Sequence, residues 1–566
     1  MGDLGIHNTA PNQAAQGNFN APVNINNYNG ELPLQFPPLL PPRPPDDFVP
    51  RLHEYQQLLD QLCGAAGGTV GITAAVALAG AGGFGKTTLA KAICHDTRVQ
   101  QAFPDGVLWV EIGQHPGNLL GKIEDLVLLL TNARQRVGFT DLNAAAIRLA
   151  QALAKRQILL VIDDVWDTAH LQPFLEGGPR CTRLITTRLR HVLPPTARSV
   201  AVDAMQAREA VDLLAWGLPS DAVKGHTAAL EQLAQRLGEW PLLLKLVNGA
   251  LRDQVNAHSP LDKAVAFVNQ GLDEKGIEAF DITDQESRAY VVHRTIAVSL
   301  PLLSDAQQSR FAELAIFPED TDLSLSMLGR YWQHTDPGGT NSDFDTKQLC
   351  ARLYSLSLLL RYEAQSGTIR LHDVMRSYLQ RRHQEQLTNW HNALLAAYRP
   401  PTGWHALAPD EPYLWQQLAA HLRDAGRTPE LAQLLADYRW LHAKLPATTI
   451  SAVIADYDAL HPLPEAQRHI RDALRLSAHI LAQDPAQLAA QLLGRLLSFG
   501  QPAIRQLLAD ATAATAANST AWLRPLHACL TPPGGALIRT LSGHTRRVLS
   551  VAVLPDGKQA LSAADD

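Results

Sequence analysis

The sequence predicts a multi-domain protein in which an α/β domain with a parallel sheet precedes a large helical region. Its 566 residues amount to several usual domains. Between about residues 70 and 200, short apolar runs alternate with longer amphipathic segments, as strands alternate with helices in a doubly wound sheet. From about residue 203 to 530 the periodicity is mostly helical.

Composition and charge argue against a nucleic-acid-binding, a disulfide-bonded or a membrane-spanning protein. A net charge of -6 gives no general attraction to nucleic acid or anionic lipid. The five cysteines are far apart and lack the paired spacing of a zinc site or a disulfide framework, which fits a reducing cytosol. No stretch has the roughly 20 apolar residues that span a bilayer. We therefore expect a cytoplasmic protein with no membrane partner, and we do not expect nucleic acid as a ligand.

The N-terminal segment is predicted to be a tail without a folded core. Residues 1–30 contain eight asparagines, and residues 33–50 contain eight prolines, which lack amide donors and favour extended backbone. We expect a disordered Asn- and Pro-rich tail over residues 1–47, with folded structure beginning near Phe48.

Apolar runs and helical periodicity place the elements that follow. The runs that look like buried strands are 74–79, 106–112, 158–162 and 183–187. Helical periodicity is clearest in 207–215, 230–237, 413–422 and 429–445. Near the end, residues 548–554 alternate with period two before a Pro-Asp-Gly turn at 555–557. That last pattern predicts the start of a propeller-type blade, which is incomplete at Asp566.

Residues 80–87, Gly-Ala-Gly-Gly-Phe-Gly-Lys-Thr, fit the phosphate-loop pattern G-x-x-x-x-G-K-[ST]. Small residues let backbone amides approach phosphates, and the following helix directs its positive end at them. We expect ADP or ATP here, with Lys86 on the β/γ-phosphates, Thr87 on Mg²⁺ and Thr88 towards the α-phosphate. A glycine-rich turn matched by chance is the alternative. The predicted loop contacts are Gly80, Gly82, Gly83, Phe84, Gly85, Lys86, Thr87 and Thr88.

Two acidic residues follow the apolar run 158–162. Parallel strands deliver such carboxylates to the sheet edge beside the phosphate loop. We expect Asp163 to hold Mg²⁺ through water, and Asp164 to orient or deprotonate the attacking water. A solvated acidic turn is the alternative, but the phosphate-loop motif upstream favours a nucleotide site with Mg²⁺ accompanying ATP.

These residues resemble the NB-ARC branch of signal-transduction ATPases, which includes the apoptotic protease-activating factor, plant disease-resistance proteins and bacterial relatives. The resemblance covers about residues 48–450, with a trailing WD repeat. Phe-Val-Pro-Arg at 48–51 resembles the family's entry motif, which implies adenine-side contacts from Val49 and Arg51. Leu-Ile-Thr-Thr-Arg at 184–188 resembles its sensor strand, which implies that Arg188 reads the γ-phosphate. A buried arginine ion pair is the alternative for Arg188.

Two further motifs of the resemblance lie downstream. Gly-Glu-Trp-Pro-Leu-Leu at 238–243 is similar to the family's proline motif and implies that Pro241 packs on adenine, although Glu239 and Trp240 depart from the usual Gly-Leu-Pro-Leu. A helix-boundary proline is the alternative. Leu-His-Asp at 371–373 replaces the family's Met-His-Asp and implies that His372 contacts the β-phosphate of ADP. A structural histidine is the alternative there.

The resemblance also implies a domain order. Residues 311–320 resemble its winged-helix domain and residues 411–445 its helical arm, although the aromatic residues of the arm are also explained by core packing. The predicted boundaries are a P-loop nucleotide-binding domain at 48–202, a small helical domain at 203–284, a winged helix at 285–385, an α-helical arm at 386–535 and an incomplete WD repeat at 536–566.

The function that the resemblance implies is an ADP/ATP switch. ADP would lock the chain closed, and ATP exchange would favour a ring-like homo-oligomer that signals in defence or cell death. Hydrolysis of ATP would be slow, and its catalytic residues would be Lys86, Asp163, Asp164 and Arg188. Two alternatives stay open: a nucleotide-dependent transcription regulator acting through the winged helix, and a scaffold stabilised by nucleotide.

The tail carries one more hypothesis. Residues 16–29 combine asparagines with alternating apolar residues, a composition able to stack as cross-β, although Pro22 interrupts the run. The segment resembles the short amyloid-signalling motifs of some bacterial and fungal switch proteins, which would recruit an effector. A plain disordered leader is the alternative.

Overall fold

The computed structural model describes residues 40–64, 68–73, 82–131, 136–274, 285–319, 321–336, 342–517, 523–535, 547–553 and 560–565. The predicted disordered tail, apart from residues 40–47, and its amyloid-type segment lie outside these ranges, as does the strand predicted at 74–79. No helix in the described part of the chain is long and apolar enough to cross a membrane.

A parallel sheet forms the centre of the first domain. Its strands are β1 (Gly68–Thr73), β2 (Val107–Glu111), β3 (Leu159–Val165), β4 (Thr182–Thr187) and β5 (Arg198–Ala201). The order is β2-β3-β4-β1-β5, and every pair is parallel. The helices are α1 (Leu52–Cys63), α2 (Lys86–Cys94), α3 (Thr97–Ala102), α4 (Leu119–Thr131), α5 (Leu142–Leu153) and α6 (Thr168–Leu171).

Helices on both faces of the sheet explain why its strands are continuously apolar. In β3, Leu159 and Val161 pack into one core, whereas Leu160 and Ile162 pack into the core on the opposite face. Burial on both faces leaves no polar alternation along a strand. The sequence therefore predicted the parallel sheet correctly. It missed β5, a four-residue edge strand, and it missed β1, in which only Val70 and Ile72 are large, buried and apolar.

The next region is a group of helices that begins after β5. They are α7 (Ala207–Ala215), α8 (Ser220–Gly225), α9 (Thr227–Arg236), α10 (Pro241–Asn256) and α11 (Leu261–Glu274). The start of α7 matches the sequence prediction because Glu209 accepts a hydrogen bond from the Gln206 backbone amide at 3.0 Å and so closes a capping box.

Helices and short antiparallel strands follow over residues 285–382. The helices are α12 (Gln285–Ser299), α13 (Asp305–Ala312), α14 (Leu325–Thr335), α15 (Asp343–Ser355) and α16 (Asp373–Arg382). The strands are β6 (Leu323–Ser324), β7 (Arg361–Glu363) and β8 (Thr368–Arg370), in the order β6-β8-β7. The winged-helix assignment of this region stays a prediction.

The arm is mostly helical between residues 387 and 517. Its helices are α17 (Leu387–Tyr398), α18 (Pro412–Asp424), α19 (Thr428–Leu434), α20 (Tyr438–Ala447), α21 (Ile450–Ala455), α22 (Glu465–Leu481), α23 (Leu488–Leu496) and α24 (Pro502–Ala517). The helical segment predicted at 429–445 is divided between α19 and α20, because Asp437 caps a new helix by accepting from the Arg439 backbone amide at 2.9 Å.

One apolar core runs from the small helical region through the arm. Its members include Leu243 in α10, Leu328 in α14 and Leu474 in α22, and it takes in Phe84 from the glycine loop. Near the end of the chain, β9 (Val548–Val553) pairs antiparallel with β10 (Ala560–Ala564). Their assignment to a propeller blade stays a prediction.

Candidate functional site

The described part of the glycine loop has the backbone that its sequence requires. Gly83 and Gly85 have φ of 93° and 83°, and α2 begins directly afterwards at Lys86. Those φ values are open to glycine but strained for other residues. A Cβ on Gly83 would also lie 2.6 Å from Cβ of Leu242. The loop therefore leads directly into a helix N-terminus, an arrangement suited to an anion. Gly80 lies outside the described residues.

Thr87 and Asp163 form a pair of oxygen donors beside the loop. The Thr87 hydroxyl donates to Oδ1 of Asp163 at 3.0 Å, and the Thr186 hydroxyl donates to the same oxygen at 2.5 Å. Burial raises the pKa of Asp163 to about 7, and the negative charge of Glu111 adds to that effect. A cation here would favour the ionised carboxylate.

Hydroxyl and carboxylate oxygens are the donors that Mg²⁺ prefers, so Thr87 and Asp163 fit it chemically. Within the described ranges, no group of three or more His, Cys, Asp or Glu side chains is placed to hold a metal unaided. Mg²⁺ would therefore take its remaining ligands from phosphates and water, as it usually does in nucleotide sites.

A cavity opens beside the glycine loop, with about 810 Å³ of empty space that includes the part continuous with solvent. One side is apolar, with Val49, Met205, Leu213 and Pro241, and His372 lies on its wall. The predicted contacts that line it are Val49, Arg51, Gly83, Phe84, Gly85, Thr88, Pro241 and His372.

Arg51 carries an unpaired buried charge on the wall of this cavity. Its side chain is 4% exposed, and neither Nη1 nor Nη2 has a hydrogen-bond partner among the described residues. Burial lowers the pKa of Arg51, and the nearby charge of Glu54 only partly offsets that effect. Because an unpaired buried cation is costly, the site fits a ligand that supplies hydrogen-bond acceptors.

The N-terminus of α10 packs directly on the glycine loop. The Leu242 backbone amide donates to the Gly83 carbonyl at 3.2 Å, and the Trp240 ring stacks on Phe84 with centroids 5.2 Å apart. Pro241 is the first residue of α10, as the helix-boundary interpretation requires, and it also lines the cavity. Its contact with adenine stays a prediction. Trp240, which departs from the family motif in sequence, is fully buried at this contact.

Arg188 lies against the loop and joins it to the region of residues 285–382. Its Nη1 and Nη2 atoms are 2.8 Å from the position that a Cβ on Gly82 would occupy. The guanidinium lies over Trp166, 4.8 Å from the ring centroid, and 3.5 Å from Asp164. It also forms an ion pair with Asp373. Arg188 thus forms the buried ion pair that was the alternative interpretation of this residue. A phosphate bound at the loop would lie beside the same side chain.

His372 and Asp373 begin α16 at the edge of the same site. His372 is the N-cap, with Nδ1 3.2 Å from the Val374 amide and 2.5 Å from Oδ1 of Asp373. Burial alone would raise the pKa of Asp373, but Arg188 and His372 hold it well below its usual range. His372 therefore has the structural role of a helix cap and also lines the cavity.

Lys86 completes a cluster of buried cations. Burial, followed by the charge of Arg188, lowers the pKa of Lys86 to about 8.

Asp164 is engaged by two neighbouring side chains. It accepts a hydrogen bond from Trp166 Nε1 at 2.9 Å and lies beside Arg188. Sequence reasoning missed Asp373 and Trp240 as parts of the site, although both stand inside motifs that it had singled out.

This geometry defines the first domain as a P-loop nucleoside-triphosphate-binding domain, with a loop and helix for phosphates and an acidic strand for a cation. Comparison with known families agrees. Residues 54–217 match the NB-ARC domain model and residues 387–499 match the APAF-1 helical domain model. The chain thus contains an NB-ARC domain over residues 54–217 and an APAF-1-type helical domain over residues 387–499.

Several curated proteins are similar to this chain. The regulatory protein AfsR of Streptomyces griseus is 29% identical over 354 residues, which cover 61% of this chain and 33% of that protein. Apoptotic protease-activating factor 1 of Danio rerio is 24% identical over 445 residues, covering 74% of this chain and 33% of its own length. The chain spans about a third of the length of these relatives.

A solved structure is also similar. It is a signal transduction ATPase with numerous domains and a tetratricopeptide repeat sensor, from Pyrococcus horikoshii. The match covers 84% of this chain and 78% of that one, with a TM-score of 0.40 and 14% identity.

Proposed function

We propose that this chain is an ADP/ATP switch that ADP locks closed and that forms a ring-like homo-oligomer when ATP replaces ADP. The observation that carries the proposal is the position of Arg188. This residue touches the phosphate loop at Gly82 and is ion-paired with Asp373 in the region of residues 285–382. A single cation thus lies between the site of a phosphate and the domain that would move.

Competition for Arg188 supplies the coupling. In the closed chain, Asp373 neutralises Arg188 in a largely buried pair, with side chains 11% and 20% exposed. A γ-phosphate at the loop would offer Arg188 a second anionic partner and so weaken its hold on Asp373. A full swing from 1:99 to 99:1 requires about 5.5 kcal/mol of differential binding. Breaking a buried ion pair costs about 3–5 kcal/mol, so the Arg188–Asp373 pair can supply a large part of that difference.

The other site residues have consistent roles in this switch. Lys86 would pair with the β/γ-phosphates, His372 with the β-phosphate, and Thr88 with the α-phosphate side. Val49, Arg51 and Pro241 would hold the adenine side of the cavity. Thr87 and Asp163 would hold Mg²⁺, which neutralises phosphate charge. Asp164 would orient water only after Arg188 and Trp166 release it, so hydrolysis would be slow.

The nucleotide that the purified protein carries tests the proposal. We would denature the full chain, identify the released nucleotide by chromatography, and run Lys86→Ala alongside. We expect near-stoichiometric ADP from the wild type and none from the variant, because Lys86 loses its phosphate contact. Folded wild-type protein that yields no nucleotide and binds none when ADP is added would sink the switch.

The same variant addresses the scaffold alternative. If Lys86→Ala abolishes nucleotide binding yet leaves assembly unchanged, nucleotide does not control the oligomer. Rapid steady-state turnover by the isolated monomer would also contradict a slow, switch-like ATPase.

Duplex binding by a winged helix is less well supported. Of the basic residues in that region, Arg376 donates to the Phe317 carbonyl at 2.6 Å and pairs with Glu319, while Arg382 donates to the Tyr378 hydroxyl at 2.6 Å. Cations engaged inside the fold contribute little to a phosphate-binding face. Salt-dependent duplex binding by the full chain would restore the regulator hypothesis.

A further inference from the structure

A cluster of charged residues outside the phosphate site links the nucleotide domain to the hairpin β7–β8. Arg370 is the last residue of β8, and its Nη1 lies 3.0 Å from Oε2 of Glu111 at the end of β2. The Nε atom of Arg370 donates to Asp322 at 2.8 Å. Arg361 pairs with the same Asp322 carboxylate at 2.5 Å. In this cluster, Glu111 is the residue that belongs to the nucleotide domain.

Glu111 occupies the position next to the candidate magnesium ligand. Strands β2 and β3 are parallel and in register, with Glu111 paired with Asp163. Neighbouring strands lie about 4.8 Å apart, and residues in register point to the same face of the sheet. Glu111 therefore adds a second carboxylate one strand spacing away from Asp163, on the same face of the sheet.

We propose that Glu111 is a positioning residue for nucleotide-bound Mg²⁺ and that Arg370 neutralises it while the chain is closed. The inference rests on the proposed switch. While Arg370 is in place, it neutralises the charge of Glu111 in an ion pair whose two side chains are each less than a quarter exposed. When the hairpin moves away, Glu111 is left to orient magnesium-bound water. Opening would thus strengthen the binding of magnesium-ATP specifically.

A plain latch is the competing interpretation of the same contact. In that case the pair would only hold two domains together, and removing either partner would have the same effect. In the proposed role, Glu111 strengthens the binding of magnesium-ATP, whereas Arg370 weakens it by neutralising Glu111. Removing one partner should therefore have the opposite effect to removing the other. Single and double variants separate the two interpretations.

The experiment uses the full chain as wild type, Arg370→Gln, Glu111→Gln and the double variant. Binding of ATPγS would be measured by calorimetry over a series of Mg²⁺ concentrations. We expect Arg370→Gln to lower the Mg²⁺ concentration for half-maximal tight binding about tenfold, the scale of outer-shell effects on metal affinity. Glu111→Gln should raise it, and the double variant should behave like Glu111→Gln.

Arg361→Gln is the matched control, because Arg361 shares Asp322 with Arg370 and its other ion pair is with Glu363 rather than Glu111. It should leave the Mg²⁺ dependence unchanged. If Arg370→Gln does not fold, Arg370→Lys keeps the charge, loses the fork of donors and should give a smaller shift in the same direction.

Equal shifts in the same direction for Glu111→Gln and Arg370→Gln, or no shift in either, would overturn the proposal. Failure of the wild type to bind ATPγS at all would instead overturn the switch on which it rests. Lys86-dependent binding with an unchanged Mg²⁺ requirement in Arg370→Gln would overturn this inference alone.

Discussion

At the scale of single residues, the site holds several positively charged side chains that are buried from solvent. Lys86 is 8% exposed, Arg51 is 4% exposed, and Arg188 approaches the loop from the far side of Gly82. Like charges and burial both disfavour the protonated form of a lysine, and the lowered pKa of Lys86 follows from them. An anion at the loop would relieve this arrangement, which is a physical reason for the site to bind phosphate.

The titration of Lys86 gives a prediction about pH. In the free protein its pKa is about 8, and a bound phosphate would raise it by favouring the ammonium. Binding above pH 8 must then take up a proton, so the affinity for ADP should fall as pH rises through 8. Below pH 8, Lys86 is already charged and the affinity should be flat with respect to this group.

Calorimetry at pH 9 in two buffers of different ionisation enthalpy would count the protons taken up when ADP binds nucleotide-free protein. Uptake near one proton at pH 9, and near zero at pH 7, is the expected pattern. Absence of uptake at pH 9 would show that Lys86 is still charged in the free protein.

At the scale of elements, the start of α10 decides how the small helical region meets the phosphate loop. The helix begins at Pro241, where a missing amide donor costs nothing and φ is already suitable. The preceding Trp240 stacks on Phe84, and the following Leu242 amide bonds to Gly83. One helix end therefore fixes both the apolar cavity wall and the backbone of the loop.

Replacing Trp240 with alanine tests this arrangement. Trp240 is fully buried, so Trp240→Ala should cost about 3–5 kcal/mol of unfolding free energy and also weaken ADP binding. The matched control is Trp440→Ala, since Trp440 is equally buried and stacks on Trp415 in the arm at 5.0 Å. The control should lose similar stability yet keep its affinity for ADP in the folded protein.

Chemical denaturation gives the stability of each variant, and calorimetry gives the affinity. Equal loss of ADP affinity in both tryptophan variants would mean that nucleotide binding only reports general destabilisation. The contact between α10 and the loop would then have no specific role in the site.

At the scale of the whole chain, the arm also contacts the nucleotide domain. Gly138, with φ of 73°, lies against α22, where an added Cβ would meet the Ala478 carbonyl. Its amide donates to the buried carboxylate of Glu124 at 2.6 Å. Nearby, Asn118 donates to the Ser451 hydroxyl at 3.1 Å. The arm and the nucleotide domain are thus joined by contacts between residues far apart in sequence.

A side chain at Gly138 should loosen this contact. In Gly138→Ala the new methyl group would push α22 away from the nucleotide domain, so we expect a larger radius of gyration by small-angle scattering and readier self-association. Gly426→Ala is the control, because Gly426 has a similar φ of 72° but open space around it. Both variants carry backbone strain. An equal change in both would assign the effect to strain rather than to the displaced arm.

Much of the nucleotide site was predictable because its signals are local. The glycine loop needs particular residues at fixed spacing, and its left-handed glycines at 83 and 85 follow from that spacing. The buried strand β3 and its acidic end were likewise predictable from a short apolar run. Elements with weak local signals were missed, such as β1 and the boundary between α19 and α20, where a single capping side chain decides the outcome.

The sequence by itself determined the parallel-sheet domain and the glycine loop that leads into α2. Only the tertiary structure decided their partners: Arg188 with Asp373, Glu111 with Arg370, and Phe84 with Trp240. The reason is physical. Backbone conformation and strand burial follow from neighbouring residues, whereas the partner of a charged or aromatic side chain depends on which distant surfaces the packed core brings together.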